Sequence, residues 1–213
     1  GDLYVIGLWM HGVLDPKTGK WIENLTDTST VWNHQWRAHG SQPGYGVKQS
    51  SQFLISKSTD DGLTWSEPRN ITRQVKKEKW WLLAPGPGRG ITMEDGTLVF
   101  PVEGRNEDGL QFSTIMWSKD KGENWTVGEP AYYNTNECQV VELSDHSLML
   151  NMRERSNRGR QEGNGRAIAV TADLGKTWTE HPTSRRALIE PACQASLLRH
   201  DYIEDGEERH VLL

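Results

Sequence analysis

Residues 58–65 read STDDGLTW, and two further stretches repeat the pattern: SKDKGENW at 118–125 and TADLGKTW at 171–178. All three share the form S/T-x-D-x-G-x-T/N-W, starting at 58, 118 and 171, intervals of 60 and then 53 residues. Each reads as a tight turn. The leading hydroxyl and the aspartate (Asp60, Asp120, Asp173) can hydrogen-bond nearby backbone and hold a short loop. The glycine (Gly62, Gly122, Gly175) supplies a positive φ that a β-carbon would resist. The tryptophan (Trp65, Trp125, Trp178) then returns the chain to apolar packing. Self-similarity at such a period is the mark of a repeat architecture.

Each copy follows an alternating stretch that reads as a strand: SQFLISK at 51–57, FSTIMWSK at 112–119 and RAIAVTAD at 166–173. Before the second copy, residues 84–105 (APGPGRGITMEDGTLVFPVEGR) read as a hairpin about Asp95-Gly96. Before the third, residues 136–153 (NECQVVELSDHSLMLNMR) read as a hairpin about Asp145. After it, residues 191–213 (PACQASLLRHDYIEDGEERHVLL) read as a hairpin with a longer loop. The unit is therefore strand, turn, strand, linker, strand, Asp-rich turn and a short fourth strand. Four antiparallel strands per repeat predict an all-β fold, a β-propeller of four-stranded blades. The expected divisions are a partial blade with an insertion at 1–70, blades at 71–130 and 131–184, and a partial blade at 185–213. The insertion, roughly residues 14 to 50, carries Trp21, Trp32, Trp36, His34 and His39. An open propeller would expose two sheet-sized apolar faces. The three to four blades here are therefore expected to be part of a longer propeller.

The hairpin about Asp145 carries the chemistry. Glu137 and Arg153 stand eight residues to either side of its centre. Facing positions of an antiparallel pair come within about 5 Å. The sequence thus proposes a carboxylate and a guanidinium together, at the end of the hairpin far from its turn.

Composition sets limits. The 213 residues carry a formal net charge of -5, which argues against a nucleic-acid partner, since that needs a basic face. No apolar run approaches the roughly 20 residues of a membrane span. Cys138 and Cys193 form no disulfide framework and lack metal-ligand spacing, so both are expected as buried thiols at strand starts. His34 and His39 have no carboxylate or cysteine partner at metal-binding spacing, so neither a metal nor another cofactor is expected. Sequons stand at Asn24, Asn70 and Asn124, the last inside a turn repeat.

The turn repeats resemble the Asp-boxes of the sialidase (neuraminidase) superfamily. The stretch 136–153 is more specific: it resembles the sialidase segment that holds the catalytic glutamate and the second arginine of the substrate-binding triad. The stretches 81–105 and 187–198 are similar to sialidase blades too, and the likeness spans nearly the whole chain. It is strongest toward bacterial exo-α-sialidases of Bacteroides type. The resemblance implies a six-bladed propeller whose site lies on the axis, opposite the Asp-boxes. It also implies a retaining glycosidase in which a tyrosine attacks the anomeric carbon, an exception to the two-carboxylate scheme. A neutral phenol suits a sugar that carries its own carboxylate. A glutamate, matched by Glu137, takes the phenol proton. An aspartate serves the leaving group. Three arginines clamp the substrate carboxylate, and Arg153 matches the second. The motifs for the first arginine and the aspartate are not found in this sequence, and the third arginine and the tyrosine belong beyond Leu213 in the family. The implied partners are sialylated oligosaccharides, glycoproteins or glycolipids, and the implied location is secreted or periplasmic.

Other positions carry two readings each. Glu103 and Arg105, past the Asp95 hairpin, either line the pocket or form a solvated surface pair. Gln194 matches a polar pocket residue at the entry of the next blade. Arg89 reads as surface or structural. Trp36 and its neighbours either wall an N-acetyl pocket or pack a loop. Residues 74–81 (QVKKEKWW) read as a solvated inter-blade loop, and 153–166 (RERSNRGRQEGNGR) as a flexible rim loop. The competing function is a non-catalytic Asp-box propeller that binds glycans or proteins. Glu137 argues against it, because a pure carboxylate-binding site gains nothing from a negative charge beside its arginine.

Overall fold

A computed structural model describes residues 1–9, 17–18, 41–46, 50–160, 162–190 and 192–213. Trp21, Trp32, Trp36, His34, His39 and the sequon at Asn24 lie outside the described residues. The chain divides into two compact units, residues 1–84 with 105–109 and residues 85–104 with 110–213. The secondary structure is antiparallel β, with one four-residue helix and one 3-10 turn among the described residues.

In the first unit, β1 (Leu3–Trp9) pairs with β2 (Gln52–Ser58) from Leu3↔Ser58 to Trp9↔Gln52. The first Asp-box connects β2 to β3 (Arg69–Asn70), its antiparallel neighbour. A short helix, α1 (Thr72–Val75), follows, and β4 (Leu82–Pro85) leads into the second unit. Phe53, Ile55, Ile71, Val75 and Trp80 are buried. The reading of 74–81 as a solvated loop is therefore corrected. Val75 and Trp80 draw the segment inward, and Lys76 goes with them at 2% exposure. Its ammonium donates to Ser50 Oγ at 2.5 Å and Gln42 O at 3.3 Å, and burial pulls its pKa down to about 8.

In the second unit, β5 (Ile91–Thr92) pairs with β6 (Leu98–Arg105), β6 with β7 (Gln111–Ser118), and β7 with both β8 (Thr126–Val127) and β9 (Tyr132–Tyr133). Then β10 (Thr135–Glu142), β11 (Leu148–Glu154), β12 (Ala167–Thr171) and β13 (Thr179–Glu180) form a four-stranded antiparallel sheet in chain order. Alternation explains its burial on both faces. Cys138, Val140, Leu148, Leu150, Met152, Ala167 and Ala169 pack with Val99 and Ile115 on one side. Val141, Met149 and Ile168 pack with Leu197 on the other.

The two hairpins of this unit close on the same turn. Met93 N–H donates to Thr97 O and Leu143 N–H to Ser147 O, both at 2.8 Å. Asp95 and Asp145 each accept the amide two residues on. The left-handed position is Gly96 in one (φ 84) and His146 in the other (φ 63).

The Asp-boxes have the anticipated internal bonding. In the first, Ser58 Oγ accepts from Gly62 N–H at 2.9 Å, and Asp60 Oδ1 accepts from Thr64 N–H at 2.9 Å. The same pair of bonds recurs on Ser118 and Asp120, and on Thr171 and Asp173. The glycines take φ of +88, +83 and +79°. Hydrogen bonds from residues 64, 124 and 177 hold the three carboxyls at a pKa of about 2. Asn124 serves its turn through Asp120 Oδ2. The tryptophans differ. Trp125 is buried against Phe100, and Trp178 donates to Glu129 O at 2.9 Å. Trp65 donates to Gly62 O of its own turn and stays 43% exposed, contrary to the expected apolar packing.

Two expectations for the last stretch are corrected. The terminal hairpin has a tight loop, not a long one: β14 (Arg199–Glu204) pairs with β15 (Glu207–Leu212) around Asp205-Gly206. Both turn residues have positive φ, 53 and 80°, the geometry Asp-Gly favours in two-residue hairpin loops. The strand begins after residues 192–198 rather than within them. Cys193 is accordingly exposed on an irregular segment, whereas Cys138 is buried in β10, as expected.

Candidate functional site

Between β10 and β11 the register is Glu142↔Leu148 through Cys138↔Met152, and then shifts to Thr135↔Glu154. Asn136 and Glu137 thus oppose Arg153 alone. This two-against-one arrangement is a β-bulge, a device that re-aims a side chain. The simple cross-strand pairing expected from the sequence is refined by it, but the contact forms: Arg153 Nη1 lies 3.3 Å from Glu137 Oε2, with the two side chains 25% and 27% exposed. Both charges are desolvated in part yet remain reachable from solvent. Arg153 Nε is occupied separately, donating to Ala192 O at 2.6 Å.

Beneath this pair lies a buried polar layer. Cys138, next to Glu137, points under the sheet, its Sγ 3.5 Å from Val102 O. Burial, and then the charge of Glu103, push its thiol pKa up, which makes it inert. Glu103 is only 9% exposed, so it is not part of a solvated surface pair. Arg105, in the first unit, is half-buried, and its carbonyl accepts from Trp81 N–H at 3.0 Å. Gln139 and Gln194 both donate to Pro87 O, Gln194 at 2.6 Å and Gln139 through Nε2. Gln194 is exposed and tethered to the Gly86-Pro87-Gly88 turn, and Arg89 beside that turn is exposed. Gly88 has φ +126°, and a β-carbon there would sit 2.0 Å from Gln139 Nε2.

Sequence reasoning missed Arg166 and Glu190. Their side chains are 5% and 2% exposed, and Arg166 Nη1 meets Glu190 Oε2 at 2.7 Å. Removing one partner of such a pair costs on the order of 3–5 kcal/mol, because a buried charge is left uncompensated. Burial lowers the pKa of Arg166, opposed first by Glu190. The reading of 153–166 as a flexible rim is corrected at both ends: Asn157 is buried with Nδ2 on Gly165 O and Glu190 Oε1, and Arg166 lies in the interior. The available signal was the strand start at Ala167, which makes the preceding arginine part of an apolar run rather than a loop.

A cavity of about 660 Å³, bordered by Trp117, His146, Leu148 and Asp173, opens beside the Asp145 turn. It is lined by none of Glu137, Arg153, Glu103, Arg105 or Gln194. The chemistry therefore sits at the other end of the hairpin from this space. Among the described residues no group of three or more His, Cys, Asp or Glu is placed to hold a metal ion, and no helix is long and apolar enough to cross a membrane.

The arrangement offers a partly exposed cation for a carboxylate and an adjacent acceptor for a proton. The chain as a whole is similar to known proteins. The BNR repeat-like domain matches residues 30–213. A sialidase of Bacteroides fragilis is 45% identical over 197 residues, 92% of this chain and 32% of that protein. A Clostridium perfringens sialidase is 34% identical over 180 residues, 77% of this chain and 45% of that protein. The solved structure of the Hadza microbial sialidase Hz136 superposes with a TM-score of 0.78 at 38% identity, covering all of this chain and 37% of that one. The chain thus spans about a third to somewhat under a half of the length of these relatives.

Proposed function

This chain belongs to the BNR repeat-like domain family, and on that premise we propose that it supplies the central blades of a retaining exo-α-sialidase, an enzyme releasing terminal sialic acid from glycoconjugates. One observation carries the reading: Arg153 and Glu137 meet at 3.3 Å, partly exposed, at the bulged end of the β10–β11 hairpin. Arg153 binds the sialic acid carboxylate. Its Nε is held by Ala192 O, which leaves the Nη edge for the substrate. Glu137 takes the proton of a tyrosine nucleophile. Its carboxylate is the hydrogen-bond acceptor the step needs, and the neutral phenol meets the anomeric carbon without adding a negative charge beside the substrate carboxylate. Glu103 and Gln194 border the substrate pocket.

The tyrosine, the acid/base aspartate and the other two arginines come from further blades of the same propeller. Residues 71–130 and 131–184 are read as complete blades between partial ones at 1–70 and 185–213. Sialylated oligosaccharides, glycoproteins and glycolipids are the substrates. Secretion or periplasmic residence follows from where such glycans are met.

The test is hydrolysis of a fluorogenic α-sialoside by the full-length protein that carries this chain, with Glu137→Gln alongside. Wild-type turnover is expected, with kcat falling by about 10²–10⁴ in the variant, as for loss of a general base, while KM changes little. Saturable binding of sialosides without turnover would instead make the protein a glycan-binding propeller.

A further inference from the structure

Arg153 is aimed by main chain. Its Nε donates at 2.6 Å to the carbonyl of Ala192, a residue 39 positions away. Ala192 itself has φ +58°, which L-residues with a β-carbon adopt rarely and keep only where their surroundings over-determine them. Those surroundings are visible. Glu190, two residues earlier, is fully engaged inside the protein. Its Oε1 accepts from Glu154 N–H at 2.7 Å and Asn157 Nδ2 at 2.9 Å. Its Oε2 accepts from Arg166 Nη1 at 2.7 Å. The same Arg166 nitrogen donates to Cys193 O at 2.9 Å, while Arg166 Nε is bonded to Asn151 Oδ1.

Arg166 therefore grips the chain on both sides of Ala192, at the Glu190 carboxylate before it and the Cys193 carbonyl after it. The consecutive carbonyls of Ala192 and Cys193 each meet one guanidinium, Arg153 and Arg166. Glu190 in turn holds the amide of Glu154, the neighbour of Arg153 on β11. One buried carboxylate thus fixes both the strand that bears Arg153 and the carbonyl that orients it.

We propose that Glu190 is a positioning residue for carboxylate recognition: with Arg166 it locks Ala192 in its left-handed conformation, so that the Ala192 carbonyl holds Arg153 in the orientation that receives a substrate carboxylate. The inference rests on the role assigned to Arg153 above. A stabilising ion pair alone would have no need of the Cys193 contact or of the unusual φ between the two.

The experiment is a double-mutant cycle in the full-length protein, read by affinity for a sialic acid glycal and for its uncharged carboxamide. Glu190→Gln keeps an acceptor for Glu154 and Asn157 but removes the charge facing Arg166. It is expected to weaken glycal binding about tenfold or more, the size of a lost charge-assisted hydrogen bond, and carboxamide binding less than about twofold. In an Arg153→Met background the same change is expected to have almost no effect on the glycal, because coupled residues are not additive. If Glu190→Gln does not fold, Arg166→Lys replaces it, since a lysine keeps the charge but cannot reach Asn151, Glu190 and Cys193 together. Equal losses for both ligands, or additivity with Arg153→Met, overturn the positioning role and leave the site reading intact. Wild-type protein that binds neither ligand overturns both.

Discussion

Arg153 has two neighbours that a lysine could not serve together. Its Nε is on Ala192 O and its Nη1 beside Glu137 Oε2, so the planar fork bridges two acceptors. Arg153→Lys keeps the charge and loses the fork. On the role proposed for Arg153, we expect kcat/KM of the full-length protein on an α-sialoside to fall about 10- to 100-fold, mostly through KM, the equivalent of one charge-assisted hydrogen bond. A change below twofold would mean that Arg153 does not contact the carboxylate. This residue was legible in the sequence because its partner is tied to it by a hairpin with a clear centre. Its other partner was not, because the Ala192 carbonyl is brought there by a separate segment, and a backbone acceptor leaves no mark in residue type. Arg166 and Glu190 stayed hidden for a related reason: buried charges paired across 24 positions look in sequence like surface polarity.

The Asp-box is the element whose backbone bonding was readable in full, though not the packing of its tryptophan. Its bonds span at most four residues, so residue types at fixed offsets determine it. The same locality makes its acid response predictable. The carboxyls of Asp60, Asp120 and Asp173 titrate at about 2 in the fold, below their ordinary 3.8. A depressed folded pKa contributes stability that is present above the unfolded value and disappears as pH falls through the folded one. The boxes should therefore weaken between about pH 4 and pH 2. Replacing Asp120 and Asp173 by Asn is expected to lower the thermal midpoint at pH 6 and flatten its decline between pH 4 and pH 2. An unchanged slope would show that other carboxylates govern acid unfolding. The terminal hairpin shows the opposite case. Its turn was announced by Asp205-Gly206, but the apolar run ASLL at 195–198 competed for the strand assignment. In the fold that run supplies Leu197 to the core of the preceding sheet instead.

At the scale of the molecule, sheets repeated along the chain agree with the spacing of the turns, because each repeat carries its own strands and its own closure. Spacing could not reveal which repeats bury their tryptophan. Trp65 and Trp125 both donate to the glycine carbonyl of their own turn, but only Trp125 has a ring, Phe100, to pack against, and Trp178 donates instead to Glu129 O. The locality of the three turns also has a temporal meaning. Closing a loop of a few residues costs far less chain entropy than bringing Arg153 to Ala192. As the polypeptide leaves the ribosome, each Asp-box can close before the sheet around it is complete, while the orientation of Arg153 must wait for residue 192 to emerge. In pulse-labelling hydrogen exchange during refolding, the amides of Gly122 and Gly175 should gain protection before that of Glu154, which is bonded to Glu190. The reverse order would contradict this account. The scaffold is thus assembled piece by piece, and the contact that orients Arg153 is among the last to form.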